Sequence, residues 1–265
     1  MIDLSIIIVN WNTGDLLENC IKSIIKNTTS LRYEIIICDN DSKDNSANRG
    51  LEKYDEVKVI YSKENLGFSK GNNLAFSSSN GRYILLLNPD TIIKNNAIDK
   101  AYKYLIKQNE EVLVGAKLLN SDYSIQLSSC HFPNLYNMIF KKYVMSIDMH
   151  NKIHETDWVM GAFMMMSRDL YLKVGMLDEK YFMYSEDLDL CYQVKKMNGK
   201  VIHFAESEVV HFYNQSGAKK WNSRREKVIT ESLLKFINKN YSGINKLLCR
   251  VAVRSRYLIK SKRVN

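Results

Sequence analysis

The sequence has few of the residues that mark non-globular proteins. Only two prolines and 11 glycines occur among 265 residues, which excludes collagen-like and Pro/Gly-rich disordered chains. Uninterrupted apolar runs reach about five residues, whereas a membrane-spanning helix needs ~20. The five cysteines are scattered and contain no C-x-x-C pair, so neither a disulfide framework nor a zinc site is expected. We expect no secretory signal after Met1, and scattered, unpaired cysteines are typical of proteins in the reducing cytoplasm.

Positive charge is concentrated at one end of the chain, whose net charge is +9. Residues 219–265 contain 14 Lys and Arg against two Glu, whereas residues 1–218 contain 24 basic and 27 acidic side chains. A basic tail can bind an anionic membrane surface or nucleic acid. Aromatic residues that could stack on bases are sparse in this tail, which argues against nucleic acid as a partner.

The first part of the chain alternates between strand-like and helix-like patterns. Short runs of branched apolar residues predict buried strands, and apolar residues spaced by three and four predict helices. The predicted strands are Leu4–Val9, Tyr33–Cys38, Val57–Tyr61, Tyr83–Leu87 and Val112–Gly115. One predicted helix follows Thr13, which can cap it, and two further helices span Ser69–Ser79 and Ala97–Gln108. This alternation predicts an α/β fold with a mostly parallel sheet flanked by helices.

The later part of the chain is less regular. The pattern predicts a loop-rich excursion at residues 120–156 and a second organised block at residues 157–212. It also predicts two tail helices, one from Trp221 to about Lys239 and one from Gly243 to about Lys262. We therefore expect one domain at 1–217, divided into halves at 1–117 and 118–217, and a helical tail at 218–265.

Polar side chains follow three of the predicted strands where each strand ends. These segments are Asn10–Asn12, Asp39–Ser42 and Asn88–Asp90. Ligands of parallel α/β sheets bind at the carboxyl ends of the strands. Asn and Asp also form turns and cap helices, which accounts for any one segment alone. Three such segments, with Trp11 among them, favour a shared binding crevice.

A glycine-containing loop at 65–73 precedes the predicted helix at Ser69. Gly67 and Gly71 allow close backbone approach, and Lys70 adds positive charge near a helix amino end that can bind anions. A plain turn with an exposed lysine is the alternative. The segment matches neither the P-loop nor the dinucleotide fingerprint, so the signatures of P-loop ATPases and Rossmann dehydrogenases are absent.

These segments together resemble the GT-A-fold glycosyltransferases of family 2, particularly the rhamnosyltransferase-like branch. The resemblance extends from about residue 3 to 217, and the ordered set is far more specific than any single motif. The matching segments are Ser5–Asn12, Asp39–Ser42, Glu64–Asn73, Leu87–Thr91, Trp158–Phe163, Val174–Glu179, Tyr184–Cys191 and His211 to Gly217.

The resemblance implies a nucleotide-sugar-binding half at 1–117. It assigns Asp39 to the imide N–H of uracil or thymine. Asn10 and Trp11 could line the base pocket, although Trp11 as a core residue is an equally fair interpretation. We also expect Lys70, Asn72 and Asn88 to bind the nucleotide.

A divalent cation, Mn or Mg, is implied at Asp90 and His211. Asp90 occupies the last acidic position of the family's D-x-D-like motif, while Asn88 replaces the first acid and weakens the expected metal set. Helix capping is the alternative role for Asp90. A lone histidine is more often structural, and His211 is a candidate ligand only through the resemblance. We expect the other four histidines to be structural or at the surface.

The half at 118–217 is the expected acceptor and catalytic half. The resemblance assigns the general base to Asp187 and acceptor binding to Glu186, with Asp189 in a supporting role. Trp158 and Tyr184 are candidates to stack on the acceptor sugar. Acids in the first turn of a helix capped by Ser185 are the alternative explanation.

The implied function is inverting transfer of a sugar from dTDP-rhamnose or a UDP-sugar to a hydroxyl of a growing, undecaprenyl-linked glycan. A non-catalytic sugar-nucleotide- or polysaccharide-binding module on the same fold is the alternative. From Ile244 onward the apolar residues of the tail fall on one side of a helix and most basic residues on the other. We expect this helix either to lie on an anionic membrane at the cytoplasmic face or to pack on the domain.

Overall fold

The computed structural model describes residues 1–48, 51, 54–108, 111–140, 143–212 and 223–262. Its main sheet runs in the order β3-β2-β1-β4-β11-β6-β12-β5, with β7 beside β6 and β9 beside β12, while β8 and β10 pair separately. The strands are β1 Leu4–Asn10, β2 Tyr33–Asp39, β3 Val57–Tyr61, β4 Tyr83–Leu87, β5 Thr91–Ile93, β6 Val112–Leu119, β7 Ile125–Gln126, β8 Ser129–Cys130, β9 His154–Thr156, β10 Trp158–Val159, β11 Phe163–Ser167 and β12 Lys200–His211. The helices are α1 Asp15–Asn27, α2 Gly67–Ser77, α3 Ala97–Leu105, α4 Leu135–Phe140, α5 Ile147–His150, α6 Arg168–Lys173, α7 Glu186–Lys196, α8 Ser223–Asn240 and α9 Gly243–Lys262.

The amino-terminal half of the sheet is parallel, as the sequence pattern predicts. β1 pairs in parallel with β2 and β4, and β2 pairs in parallel with β3. Every residue of β1 is buried, because helices cover both faces of this half of the sheet. The strands therefore end together, which places Asn10, Asp39 and Asn88 at one edge of the sheet.

The second half of the sheet is mixed. β11, whose buried Met164–Met166 run is core as expected, lies antiparallel between β4 and β6. β12 is parallel to β6 and antiparallel to the three-residue β5. The β5–β12 register sets His211 opposite Thr91, and the Phe212 N–H donates to the Asp90 carbonyl at 2.9 Å. Strand pairing thus brings Asp90 close to His211, although the two residues are 121 positions apart in the sequence.

The predicted helix start near Ser185 is confirmed, but neither Thr13 nor Ser185 caps a helix with its side chain. Thr13 does not cap α1, which begins at Asp15 after Gly14, and its hydroxyl donates to Asn10 instead. Ser185 precedes α7 in a left-handed conformation with no capping side-chain bond. Residues 120–156 carry only short elements among loops, as expected.

The tail helices pack on the body of the protein. Phe236 and Ile237 of α8 and Cys249 and Val253 of α9 form one buried cluster with Tyr181 and Leu188. The buried Asp189 carboxylate accepts from Lys239 Nζ and Asn240 Nδ2, each at 2.7 Å. The predicted start of the first tail helix at Trp221 and the predicted boundary at 217/218 lie outside the described residues.

α9 exposes most of the apolar face that the sequence predicts. We call its exposed residues the outward stripe: Ile244, Leu247, Leu248, Val251 and Leu258. The helix packs on the body through Cys249 and Val253, which lie on the opposite side. Across the described ranges, no helix is long and apolar enough to cross a bilayer.

Candidate active site

A pocket of about 510 Å³ opens beside the carboxyl end of β4 and extends to the tail helices. Seven of the predicted site residues line it: Asn88, Asp90, Trp158, Tyr184, Glu186, Asp187 and His211. His131, expected to be structural or at the surface, also lines it. The predicted nucleotide residues on β1, β2 and α2 lie outside the lining, near the same edge of the sheet.

Asp90 and His211 lie side by side in the pocket. Asp90 Oδ1 lies 3.3 Å from His211 Nε2, close to the spacing of about 3 Å between neighbouring ligands of one octahedral cation. Asn88 Nδ2 is also 3.3 Å from Nε2. Within the part of the chain that the structure describes, no three His, Cys, Asp or Glu side chains cluster around one point that could hold a metal. The pair fits a cation that takes its remaining ligands from substrate and water.

Gln126 orients the His211 ring, and sequence reasoning missed this contact. Gln126 Nε2 donates to Asn120 Oδ1 at 3.1 Å, which turns Oε1 toward His211 Nδ1 at 2.7 Å. Because an amide oxygen only accepts, Nδ1 carries a proton and Nε2 faces Asp90. A hydrogen bond from the other ring nitrogen is how proteins fix a metal-binding histidine.

Asp187 is held by two backbone N–H groups. Gly161 donates to Oδ2 at 2.9 Å and Leu188 donates to Oδ1 at 2.7 Å. The Gly161 backbone comes so close that an added Cβ would lie 3.1 Å from the Asp187 Cβ. Burial raises the pKa of the Asp187 carboxyl, and these N–H groups oppose part of that rise. Asp187 is thus a rigidly placed carboxylate with greater basicity than an exposed aspartate.

Glu186 has a different environment from its neighbour. Burial, together with the negative charge of Asp187, raises the pKa of Glu186 well above its usual range. Its buried Oε2 has no hydrogen-bond partner among the described residues. Of the two carboxyl groups, Glu186 is therefore the one whose protonated form is more strongly favoured by its surroundings.

The backbone leading into these acids is strained. Tyr184 and Ser185 have φ values of 69° and 66°, a left-handed conformation that costs non-glycine residues of order 1 kcal/mol or more. Immediately after them, α7 presents Glu186 and Asp187 to the pocket at its first turn. Two consecutive outliers beside the acidic pair are typical of a functional site.

Trp158 and Tyr184 form aromatic walls of the pocket. Trp158 Nε1 donates to the His131 carbonyl at 3.1 Å, which fixes the indole. The guanidinium of Arg225 from α8 lies 5.7 Å from the centre of the Tyr184 ring. Arg225 and Arg256 both line the pocket, and sequence reasoning missed them because it treated the tail as separate from the site.

The strand ends of β1 and β2 form a connected polar group. Asn10 Nδ2 donates to Asp39 Oδ1 at 2.7 Å and to Ser46 Oγ at 2.8 Å. The Ser42 N–H donates to Asp39 Oδ2 at 3.1 Å. Trp11 is 49% exposed, which excludes the interpretation of this side chain as core. Base recognition by Asn10, Trp11 and Asp39 stays a prediction.

The loop before α2 is occupied mainly by protein contacts. The Gly67 N–H donates to Asn65 and the Phe68 N–H to the Phe182 carbonyl, so two N–H groups of the helix amino end are already used. Asn72 is buried and its amide donates to the Phe68 carbonyl at 2.9 Å. Lys70 is exposed. Nucleotide binding by Lys70 and Asn72 likewise stays a prediction.

The fold is that of the GT-A glycosyltransferases. The crystal structure of GalNAc-T7 with UDP, GalNAc and Mn2+ matches 90% of this chain with a TM-score of 0.71 at 15% identity, over 48% of that chain. Residues 5–175 match Glycosyl transferase family 2, and the chain belongs to that family.

Two curated relatives align with most of this chain. The low-salt glycan biosynthesis hexosyltransferase Agl10 of Haloferax volcanii is 29% identical over 78% of this chain and 66% of its own length. The N-acetylglucosaminyl-diphospho-decaprenol L-rhamnosyltransferase of Mycobacterium tuberculosis is 21% identical over 78% of this chain and 75% of its own. The chain therefore spans slightly less than two thirds of the Haloferax protein.

Proposed function

We propose that the protein transfers a sugar from a nucleoside-diphosphate donor to an acceptor hydroxyl, with inversion at the anomeric carbon. The observation that carries this proposal is one pocket that Asp187, Asp90 and His211 line together. Inverting transfer needs a base for the acceptor and charge stabilisation for the leaving diphosphate. Family membership supports the same reaction class.

Asp187 is the proposed general base. The acceptor O–H bond breaks as its proton passes to the Asp187 carboxylate, and the oxygen forms a bond with the anomeric carbon. The bond from that carbon to the diphosphate oxygen breaks at the same time, and the nucleoside diphosphate leaves with its electron pair. The raised pKa of Asp187 makes it a better proton acceptor.

Glu186, Trp158 and Tyr184 are the proposed acceptor-binding residues. A protonated Glu186 can donate a hydrogen bond to an acceptor oxygen without competing with Asp187 for the proton. The two aromatic side chains supply apolar faces against which a sugar ring can pack.

Asp90 and His211 are the proposed ligands of a divalent cation, Mn or Mg, with Asn88 beside them. When bound, such a cation neutralises charge that develops on the departing diphosphate. Asp90 supplies a hard oxygen ligand, and Gln126 keeps His211 Nε2 directed at it. Asn10, Trp11, Asp39, Lys70 and Asn72 complete the proposed nucleotide site.

The proposed donor is dTDP-rhamnose or a UDP-sugar, and the proposed acceptor is a lipid-linked saccharide of a growing surface glycan. The mycobacterial relative is a rhamnosyltransferase that acts on a diphospho-decaprenol substrate by its name. The domain at 1–217 would carry both sites, the sugar-nucleotide half at 1–117 and the acceptor half at 118–217.

We also propose that the tail lies on an anionic membrane at the cytoplasmic face. Two features support this proposal: the exposed apolar residues of the outward stripe, and the 14 basic against two acidic residues of the tail. This combination suits an anionic interface. The test is flotation with phosphatidylglycerol-containing vesicles. Changing Leu247 and Val251 to Gln should reduce binding of the full chain more than tenfold, whereas Leu172→Gln, an exposed apolar residue of α6, should not. Equal flotation of the two variants would refute this membrane contact.

The transfer reaction is tested by a panel of nucleotide sugars and short-chain prenyl diphosphate saccharides with Mn2+. Acceptor-dependent release of nucleoside diphosphate supports the enzyme. Nucleotide-sugar binding without release, across the panel, would favour a non-catalytic binding module instead.

A further inference from the structure

The tail helices supply a cationic and apolar wall to the pocket. Arg225, Ile229 and Leu233 lie at four-residue intervals on α8 and line the pocket together, because this spacing places side chains on one helix face. Arg256 reaches the same pocket from α9. The wall therefore combines two guanidinium groups with aliphatic side chains.

Both guanidinium groups are positioned by tyrosine rings. Arg225 lies 5.7 Å from the centre of the Tyr184 ring, and Arg256 lies 5.5 Å from the centre of the Tyr143 ring. Arg256 Nη1 also donates to the Tyr143 hydroxyl at 3.3 Å. Such contacts restrict a long side chain and hold the guanidinium group in place.

We infer that Arg225 and Arg256 form a subsite for the phosphate groups of a prenyl diphosphate-linked acceptor, an inference that rests on the proposed function. Guanidinium groups bind phosphate oxygens through paired, charge-assisted hydrogen bonds. Ile229 and Leu233 would contact the first part of the prenyl chain.

The position of α9 supports a lipid as the source of the phosphate. The helix places Arg256 in the pocket and the outward stripe on its solvent side. A prenyl chain that leaves the pocket beside α9 therefore has a short route to an apolar phase in contact with that stripe. A soluble phosphodiester polymer would need the arginines but not the aliphatic side chains.

The test is calorimetric binding of farnesyl diphosphate to the full-length protein. Saturating Mn2+ and UDP, with dTDP in parallel, occupy the donor site so that the probe cannot bind there. Arg225→Gln and Arg256→Gln should each weaken farnesyl diphosphate about tenfold or more, the usual loss for a charge-assisted hydrogen bond. The corresponding Lys variants should recover part of the affinity, and uncharged farnesol should bind all variants alike.

Lys227→Gln is the matched control, because this substitution removes one positive charge from an exposed position on the same helix, α8. Unchanged farnesyl diphosphate affinity in both arginine variants would overturn the subsite. Arginine-dependent binding of glycerol phosphodiester oligomers, without binding of farnesyl diphosphate, would overturn the lipid source. Absence of nucleotide binding in the unaltered protein would instead count against the proposed function, and nucleotide affinity that the arginine changes leave intact separates the two failures.

Discussion

At the scale of single residues, the adjacent carboxyl groups of Glu186 and Asp187 have different surroundings. Asp187 accepts two backbone N–H groups, whereas Glu186 is buried with one oxygen lacking a partner among the described residues. The sequence identifies these two acids because of the motif that contains them. It does not identify Gln126, whose partner His211 is 85 residues away and whose own segment has no periodic pattern.

The environment of Glu186 predicts a stability cost that depends on pH. A carboxyl whose folded pKa lies above its unfolded value contributes stability below the unfolded pKa, and this contribution is lost as pH rises through the folded pKa. Glu186→Gln should therefore raise the free energy of unfolding at pH 8, on the order of 1 kcal/mol, and much less at pH 4. Denaturant unfolding at the two pH values measures this, and a gain that is equal at both would contradict the assignment.

At the scale of elements, the parallel strands were predictable and the strand that completes the site was not. β1 to β4 follow clear apolar runs, whereas β5 has only three residues and gains its position from pairing with β12. The antiparallel insertion of β11 between β4 and β6 is likewise set by tertiary packing. Asp90 and His211 were therefore predictable as residues, but their 3.3 Å proximity came from the structure.

The β7–β12 contact predicts a metal phenotype for Gln126. Gln126→Leu keeps the approximate size of the side chain and removes the acceptor that fixes His211 Nδ1–H. Affinity for Mn2+ in the presence of nucleoside diphosphate should fall about 10- to 100-fold. Calorimetry checks this, with Asn120→Ser as a milder change at the next hydrogen bond. Unchanged Mn2+ affinity in Gln126→Leu would exclude His211 orientation by Gln126.

β12 also carries a buried histidine away from the pocket. His203 Nε2 donates to the His150 carbonyl at 3.1 Å, and Nδ1 has no partner among the described residues. Burial, aided by the neighbouring His150, His154 and Lys117 and opposed by the hydrogen bond to the His150 carbonyl, lowers the pKa of His203 to about 4. Two of the histidines expected to be structural, His150 and His203, are indeed fully buried.

This histidine predicts a loss of stability in mild acid. The unfolded chain takes up a proton near pH 6.5 and the folded chain only near pH 4, so stability is full above 6.5 and falls between these values. The loss approaches about 1.4 kcal/mol per pH unit. His203→Gln should show a weaker decrease from pH 7 to pH 5 in denaturant unfolding. An identical pH dependence in both proteins would show that His203 does not contribute.

At the scale of the whole molecule, the tail is part of the site. Its helicity and amphipathic pattern were predictable, but the face that packs on the body was not, because Cys249 and Val253 are buried by contacts with distant residues. Asp189, expected to have a supporting role, joins the helix that carries Glu186 and Asp187 to Lys239 and Asn240 of α8. The tail therefore packs against α7 and its neighbours through side chains that no local pattern could reveal.

The measurement that tests the central claim most directly is the turnover of Asp187→Asn together with its donor affinity. This change keeps the shape of the side chain and removes the proton acceptor. We expect turnover to fall by ~10²–10⁴, with nucleotide-sugar affinity and melting temperature nearly unchanged. Asp189→Asn should instead lower the melting temperature, since it weakens the contacts with α8, and retain most turnover. If Asp187→Asn keeps more than about a tenth of the original turnover, Asp187 is not the general base.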